Sequence, residues 1–258
     1  MLGAVRVSLS WMTVLPGGRV GVPDTRMAGR AMTVLPVVGL VCGLVATAFA
    51  HGVHALGGGA LLSGLAGVAA VLALTRGMHV DALADTADAL GSYAGPERAL
   101  EIMRSGSIGP MGSAVLALTI LAEVAALGAL VDSGAWLAPL AAFVVSRCLP
   151  VVLLRRGVPA ASPTGFGAMV AGSQSRVAVV GIGLLCVVAG AGLAGTGPLP
   201  ESWWRPIVGA ALGLAAYLAT AVAGRHVVRR LRGINGDVLG AAIETGTAAT
   251  LVAAVLLL

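Results

Sequence analysis

The sequence contains no lysine and little charge of either sign: 10% of its 258 residues are charged, 3% are aromatic and three are cysteine. A soluble domain carries about 25% charged residues, so this chain lacks the polar surface of a water-facing fold. With 58% hydrophobic residues and a mean hydropathy of +0.98, it is not an intrinsically disordered chain either. Cys42, Cys148 and Cys186 stand singly in apolar runs with no Cys-x-x-Cys pair, which argues against a disulfide framework or a thiolate metal site. No basic run is interleaved with aromatics, so the net charge of +5 does not mark a nucleic-acid surface, and no nucleic acid is expected as a partner. The first fifteen residues lack the long apolar core and cleavage site of a signal peptide.

Long apolar runs are what the chain does have. A helix crosses a bilayer in about 20 apolar residues, and seven segments qualify: 32–51, 59–75, 113–131, 135–154, 177–195, 206–224 and 238–258. The expectation is a single all-α integral membrane domain over 1–258, with about seven transmembrane helices in a lipid bilayer. Residues 1–15 are apolar but short, end at Pro16-Gly17-Gly18, and read as a surface or re-entrant helix. The segments between spans, 1–31, 76–112, 155–176 and 225–237, hold fourteen of the sixteen arginines. By the positive-inside rule these face the cytoplasm, which puts the N-terminus there as well. Trp136, Trp203 and Trp204 then fall at outer ends of spans, where interface anchors belong.

The few acids are the informative residues. Asp81, Asp85 and Asp88 are spaced i, i+4, i+7, which places three carboxylates on one helical face. Arg76, Arg98 and Arg104 are nearby, but Glu97 and Glu101 compete for them, so a divalent cation is the better counter-charge. Carboxylates without cysteine or paired histidine favour Mg²⁺ or Mn²⁺ over Zn²⁺. His79 lies off the aspartate face and reads as a base, a substrate contact or a cap. The loop SGSIGPMG supplies Ser107 and Gly109 ahead of a span, where backbone N–H groups suit a phosphate. A second polar group opens the last span: Asn235 and Asp237 suit a helix cap, whereas Glu244, two turns into the membrane, calls for a functional reason. Glu123 and Arg147 lie within spans and read as an ion pair, or Arg147 as reaching a phosphate from inside.

MHVDALADTADAL, RALEIMRSGSIGPMG and GINGDVLGAAIE closely resemble the motifs of the cobalamin synthase family, the adenosylcobinamide-GDP ribazoletransferases. The early SLSWMTVLP, Pro36–Leu40 and Ser146–Pro150 extend the resemblance over nearly the whole chain. The family usually has Gly where Ala82 and Ala89 stand, and Thr where Asn235 stands. The resemblance implies a Mg²⁺-dependent multi-pass enzyme of the bacterial cytoplasmic (inner) membrane, with its active site facing the cytoplasm. It would transfer the adenosylcobinamide phosphate group from adenosylcobinamide-GDP to α-ribazole or its 5′-phosphate, releasing GMP and forming adenosylcobalamin or its 5′-phosphate. On that reading Asp81, Asp85 and Asp88 hold one or two Mg²⁺ ions, and Asp88 is a candidate to accept the hydroxyl proton. Arg76, His79, Arg104, Ser107, Gly109 and Arg147 contact substrate or phosphate, and Asn235, Asp237 and Glu244 complete the metal site or orient the ribazole. Two alternatives stand beside it: a CDP-alcohol-type phosphotransferase, whose Ala-Arg motif is missing here, and a small-solute transporter lined by Glu123, Arg147 and Glu244. The oligomeric state stays open, a homo-oligomer included.

Overall fold

The structure, a computed structural model, describes residues 1–17, 24–194 and 203–258. The expectations resting on Gly18, on Arg19 and on 195–202 of the outer loop GTGPLPESWWR lie outside the described residues. Among the described residues the chain is helical throughout, with two isolated bridges, Arg155 to Gln174 and Ala160 to Ile234, in place of strands. The helices are α1 (Leu2–Met12), α2 (Thr25–Thr33), α3 (Leu35–Ala55), α4 (Gly59–Thr75), α5 (Met78–Gly91) and α6 (Pro96–Arg104), then α7 (Pro110–Asp132), α8 (Leu137–Leu153), α9 (Phe166–Val170), α10 (Arg176–Ala191), α11 (Arg205–Leu231) and α12 (Gly236–Val255).

Local chemistry sets several of these ends. Asp24, Ser175 and Asn235 accept hydrogen bonds from Met27, Ala178 and Val238, capping α2, α10 and α12. Pro36, Pro96, Pro110 and Pro206 sit in first turns, where a missing N–H costs nothing.

Five helices are long and apolar enough to cross a membrane: α3, α7, α10 with the turn that follows it, α11 and α12. The chain is therefore a multi-pass membrane protein. Two of the seven expected spans take another form. Segment 59–75 passes the same test only together with α5, from which it is bent by 88°. Segment 135–154 becomes α8, a 17-residue apolar helix that packs against α3, α10, α11 and α12. Nearly all of α8 is buried, so a short helix suffices at the centre of the bundle. The span expected at 206–224 continues to Leu231, so Arg225, Arg229 and Arg230 extend the helix instead of forming a loop.

Helices approach closely through glycine. A Cβ on Gly64 would strike the Val124 carbonyl of α7, and one on Gly128 would strike the Ala60 carbonyl of α4. Close backbone approach through small residues is how apolar helices associate without a hydrophobic difference between protein and lipid.

Candidate active site

The site is built on the joint between α4 and α5. Arg76 (φ 58°) and Gly77 (φ 65°) both adopt the left-handed conformation, and two such residues in succession turn the chain sharply. α5 therefore leaves the line of α4 and packs against α7 and α12. Its apolar side is buried through Ala82, Leu83, Ala84 and Ala89, which leaves Asp81 exposed and Asp85 and Asp88 half-buried. Contact with α12 is close: a Cβ on Gly240 would stand 2.5 Å from that of Ala82.

This packing brings Asp237 of α12 to the aspartates of α5. The Asp85 carboxyl is pushed from its ordinary 3.8 up to about 6, first by desolvation and then by the charges of Asp81, Asp237 and Asp88. Among the described residues none of these four carboxylates has an ion-pair partner. The two ion pairs there are Arg98 to Glu101 at 3.0 Å and Arg232 to Glu97 at 2.5 Å, both on the exposed side of α6. The glutamates thus occupy Arg98 and Arg232, and Asp81, Asp85, Asp88 and Asp237 are left without a cationic side chain.

The donor set suits a hard divalent cation. Among the described residues no three His, Cys, Asp or Glu side chains are gathered as a ready-made cage. A Mg²⁺ ion that keeps several of its waters needs only one or two carboxylates, and that is what this face offers.

Asp88 is already engaged. It accepts the backbone N–H groups of Gly109 at 2.6 Å and Gly112 at 2.8 Å, at the start of α7. A negative side chain there satisfies N–H groups that an isolated helix leaves unpaired and complements the helix dipole. The glycines are required sterically, because a Cβ at either position would collide with the Asp88 carboxylate. The N–H of Gly109, expected to face a phosphate, is thus given to Asp88. Ser107 bonds with Ser105 at 2.8 Å and, with Gly109, lines a cavity on the Arg98 side of α6.

Arg104 lies apart from that loop. It lines a cavity of about 460 Å³ with Asn235, Asp237, Ser162, Thr164 and Phe166. Asn235 both caps α12 and donates from Nδ2 to Asp237 Oδ2 at 2.9 Å, which orients that carboxylate. The structure therefore assembles Arg104, Asn235 and Asp237 on one side of α6 and separates them from Ser107 and Gly109.

Arg147 is 1% exposed and does not open to either cavity. Its guanidinium donates to Ser146 Oγ and Thr247 Oγ1, each at 2.8 Å, and lies 5.0 Å from the centre of the Phe143 ring. No ion pair joins it to Glu123, contrary to the expected pairing. Its charge nevertheless bears on both Glu123 and Glu244, which are 4% and 6% exposed. Glu244 is thus buried as its depth in the last span required, but it faces this interior group. His79 lies between the two regions: burial and then the Arg147 charge lower it to about 3, so its ring is neutral.

Sequence reasoning missed α1 and α9 as parts of the site. α1 is tied to the α4–α5 joint by Arg76 Nη2 donating to the Trp11 carbonyl at 3.3 Å and Val14 N–H to the Leu74 carbonyl at 2.8 Å. Trp11 meets Phe166 of α9 edge-to-face, with ring centres 5.2 Å apart and planes at 81°. Both rings line a cavity of about 350 Å³ beside His79 and Asp237. With so few aromatics in the chain, Trp11 in its short apolar segment was a usable signal; its partner 155 positions later was not.

Comparison with known proteins places these features in a family. The family model described as cobalamin-5-phosphate synthase matches residues 4–255. A Corynebacterium efficiens protein named adenosylcobinamide-GDP ribazoletransferase is 39% identical over 247 residues, covering 95% of this chain and 88% of that protein. Proteins of the same name from Frankia casuarinae and Pseudomonas aeruginosa are 36% and 34% identical, over 97% and 98% of this chain and 94% and 97% of their own lengths. No solved structure matches. Matched along almost its entire length, the chain belongs to the cobalamin-5-phosphate synthase family.

Proposed function

We propose that this protein transfers the adenosylcobinamide phosphate group of adenosylcobinamide-GDP to α-ribazole or its 5′-phosphate and releases GMP, with Mg²⁺ required. The observation that carries the reading is the group of Asp81, Asp85 and Asp237, none with a cationic partner among the described residues, whose Asp237 lines the Arg104 cavity. A ribose hydroxyl forms a new oxygen–phosphorus bond at the cobinamide-side phosphorus, the bond from that phosphorus to the bridging oxygen breaks, and GMP leaves with that oxygen. Such transfers depend on positioning and on offsetting charge at the phosphates.

One or two of Asp81, Asp85 and Asp237 would hold a hydrated Mg²⁺, which when bound neutralises diphosphate charge and favours the departing GMP. Arg104 binds the diphosphate in its cavity, and Asn235 fixes the direction of Asp237. The hydroxyl proton passes to a carboxylate of this group. Asp88, with an N–H on each oxygen, is the least free of the four to take it, so its part is to hold α5 against α7. The site faces the cytoplasm of a bacterial inner membrane, as the arginine distribution supports.

Nucleotide specificity tests the reading. Protein reconstituted in lipid should release GMP from adenosylcobinamide-GDP only when α-ribazole or its 5′-phosphate and Mg²⁺ are present. Release of CMP from a CDP-activated alcohol, with none of GMP, would overturn it.

A further inference from the structure

Two cavities meet at Asp237, and they differ in chemistry. Phe166, Gly236 and Asp237 line both. On one side is the Arg104 cavity with Ser162, Thr164 and Asn235. On the other is the cavity of about 350 Å³ walled by Trp11, Met12, Met32, Met78, Phe166 and Ile243. A volume near 350 Å³ is in the range of small-molecule pockets, and mainly apolar walls with a few polar groups are their usual lining.

We propose that this apolar cavity binds the flat aromatic base of the nucleoside acceptor, with Trp11 and Phe166 as its ring contacts and the ribose directed to Asp237. The proposal rests on the ribazoletransferase reading and assigns one substrate a place within it. Three observations carry it. The Trp11–Phe166 pair presents ring surface, and the three methionines add polarisable sulfur that suits an aromatic guest. Most of the wall is apolar, and its polar side chains are Ser10, Arg76, His79 and Asp237. The apolar majority suits the hydrocarbon ring of a benzimidazole base and leaves the polar groups to its ribose. Asp237, in the wall shared with the Arg104 cavity, stands where a ribose hydroxyl from one side meets a diphosphate from the other.

The cavity also commits α1 to a function. The hydrogen bonds from Arg76 and Val14 hold the end of α1 over the α4–α5 joint, so the segment that resembles a surface helix becomes one wall of the acceptor pocket.

The test uses the full-length protein in lipid nanodiscs. Binding of α-ribazole alone is measured by equilibrium dialysis, and steady-state KM is measured separately for acceptor and donor. Trp11→Leu and Phe166→Leu should each weaken acceptor binding and raise acceptor KM by about tenfold or more, the scale of losing one base–aromatic stack. Donor KM should hold in Trp11→Leu, because Trp11 lines the acceptor cavity and not the Arg104 cavity, which Phe166 shares. Trp11→Phe should recover most of the loss, which a collapsed fold would not allow, and excess GDP should not displace α-ribazole. Unchanged acceptor affinity in both leucine variants, with wild-type GMP release intact, would overturn the pocket assignment and leave the cavity to a lipid chain. Wild-type protein that releases no GMP with any acceptor would instead overturn the ribazoletransferase reading.

Discussion

Two polar groups share α12, and their surroundings give them opposite roles. At its first turn Asp237 lines two cavities and lies near Asp81 and Asp85, and none of the three has a cationic partner among the described residues. Two turns deeper, Glu244 and Thr247 face Arg147, which is 1% exposed and hydrogen-bonded to Ser146 and Thr247. The first group is reachable and short of positive charge, which is why it is the one proposed to take a ligand. The second is closed, and its arginine already serves as counter-charge and donor, so it organises the bundle. Access and compensation separate them; the residue types alone do not.

The comparison predicts different kinds of damage. The largest loss of stability should come from Arg147→Met, which leaves buried carboxyls without a counter-charge. Removing one member of a buried charged group costs about 3–5 kcal/mol, and thermal unfolding in detergent should drop accordingly, with activity falling in step. If Arg147→Met unfolds like the wild type and yet loses activity, the interior group belongs to the site after all.

Gly112→Ala should cost about 1–3 kcal/mol, the usual range for overpacking. Its new Cβ would meet the Asp88 carboxylate and lie 2.8 Å from the Ala84 carbonyl. The same unfolding measurement reads the loss, and GMP release should decline because α5 shifts. Asn235→Ala removes the α12 cap and should cost about 1 kcal/mol. It also frees Asp237, so a change in Mg²⁺ requirement larger than the stability loss would mark Asp237 as part of the site.

The smallest effect concerns pH. The Asp85 carboxyl is raised from 3.8 to about 6 in the folded protein, so the folded state holds its proton more tightly than the unfolded state. Its stabilising contribution is full below 3.8 and is lost as pH rises through about 6. Mg²⁺-free protein should therefore show a melting temperature that falls across this interval, and Asp85→Asn should flatten the fall. A profile identical in the two proteins would remove the electrostatic basis of the carboxylate group.

Much of this was legible in the sequence because charge is so scarce. The aspartates at i, i+4, i+7 lie on α5 as expected, and Glu244 is buried as its depth in the last span required. Apolar runs also marked the helices well. What they could not show is the direction of a helix after it ends: Arg76 and Gly77 turn α5 away by 88°, which depends on two backbone conformations and no hydrophobic pattern. Nor could spacing show that Asp88 would bind N–H groups 21 and 24 residues away, or that Trp11 and Phe166 would meet. Those contacts are made by tertiary packing, and the sequence around each partner reads as ordinary loop or surface helix.

The central claim is that the open carboxylate group is the reacting site. It is tested most directly by GMP release from adenosylcobinamide-GDP and α-ribazole, comparing reconstituted wild type with Asp85→Asn across a Mg²⁺ titration. The account predicts that the variant unfolds at or above the wild-type temperature at neutral pH while its rate falls by about 100-fold or more, the scale of a lost acid–base or metal-holding group. An Asp85→Asn protein that releases GMP at the wild-type rate, with the same Mg²⁺ dependence, would contradict it.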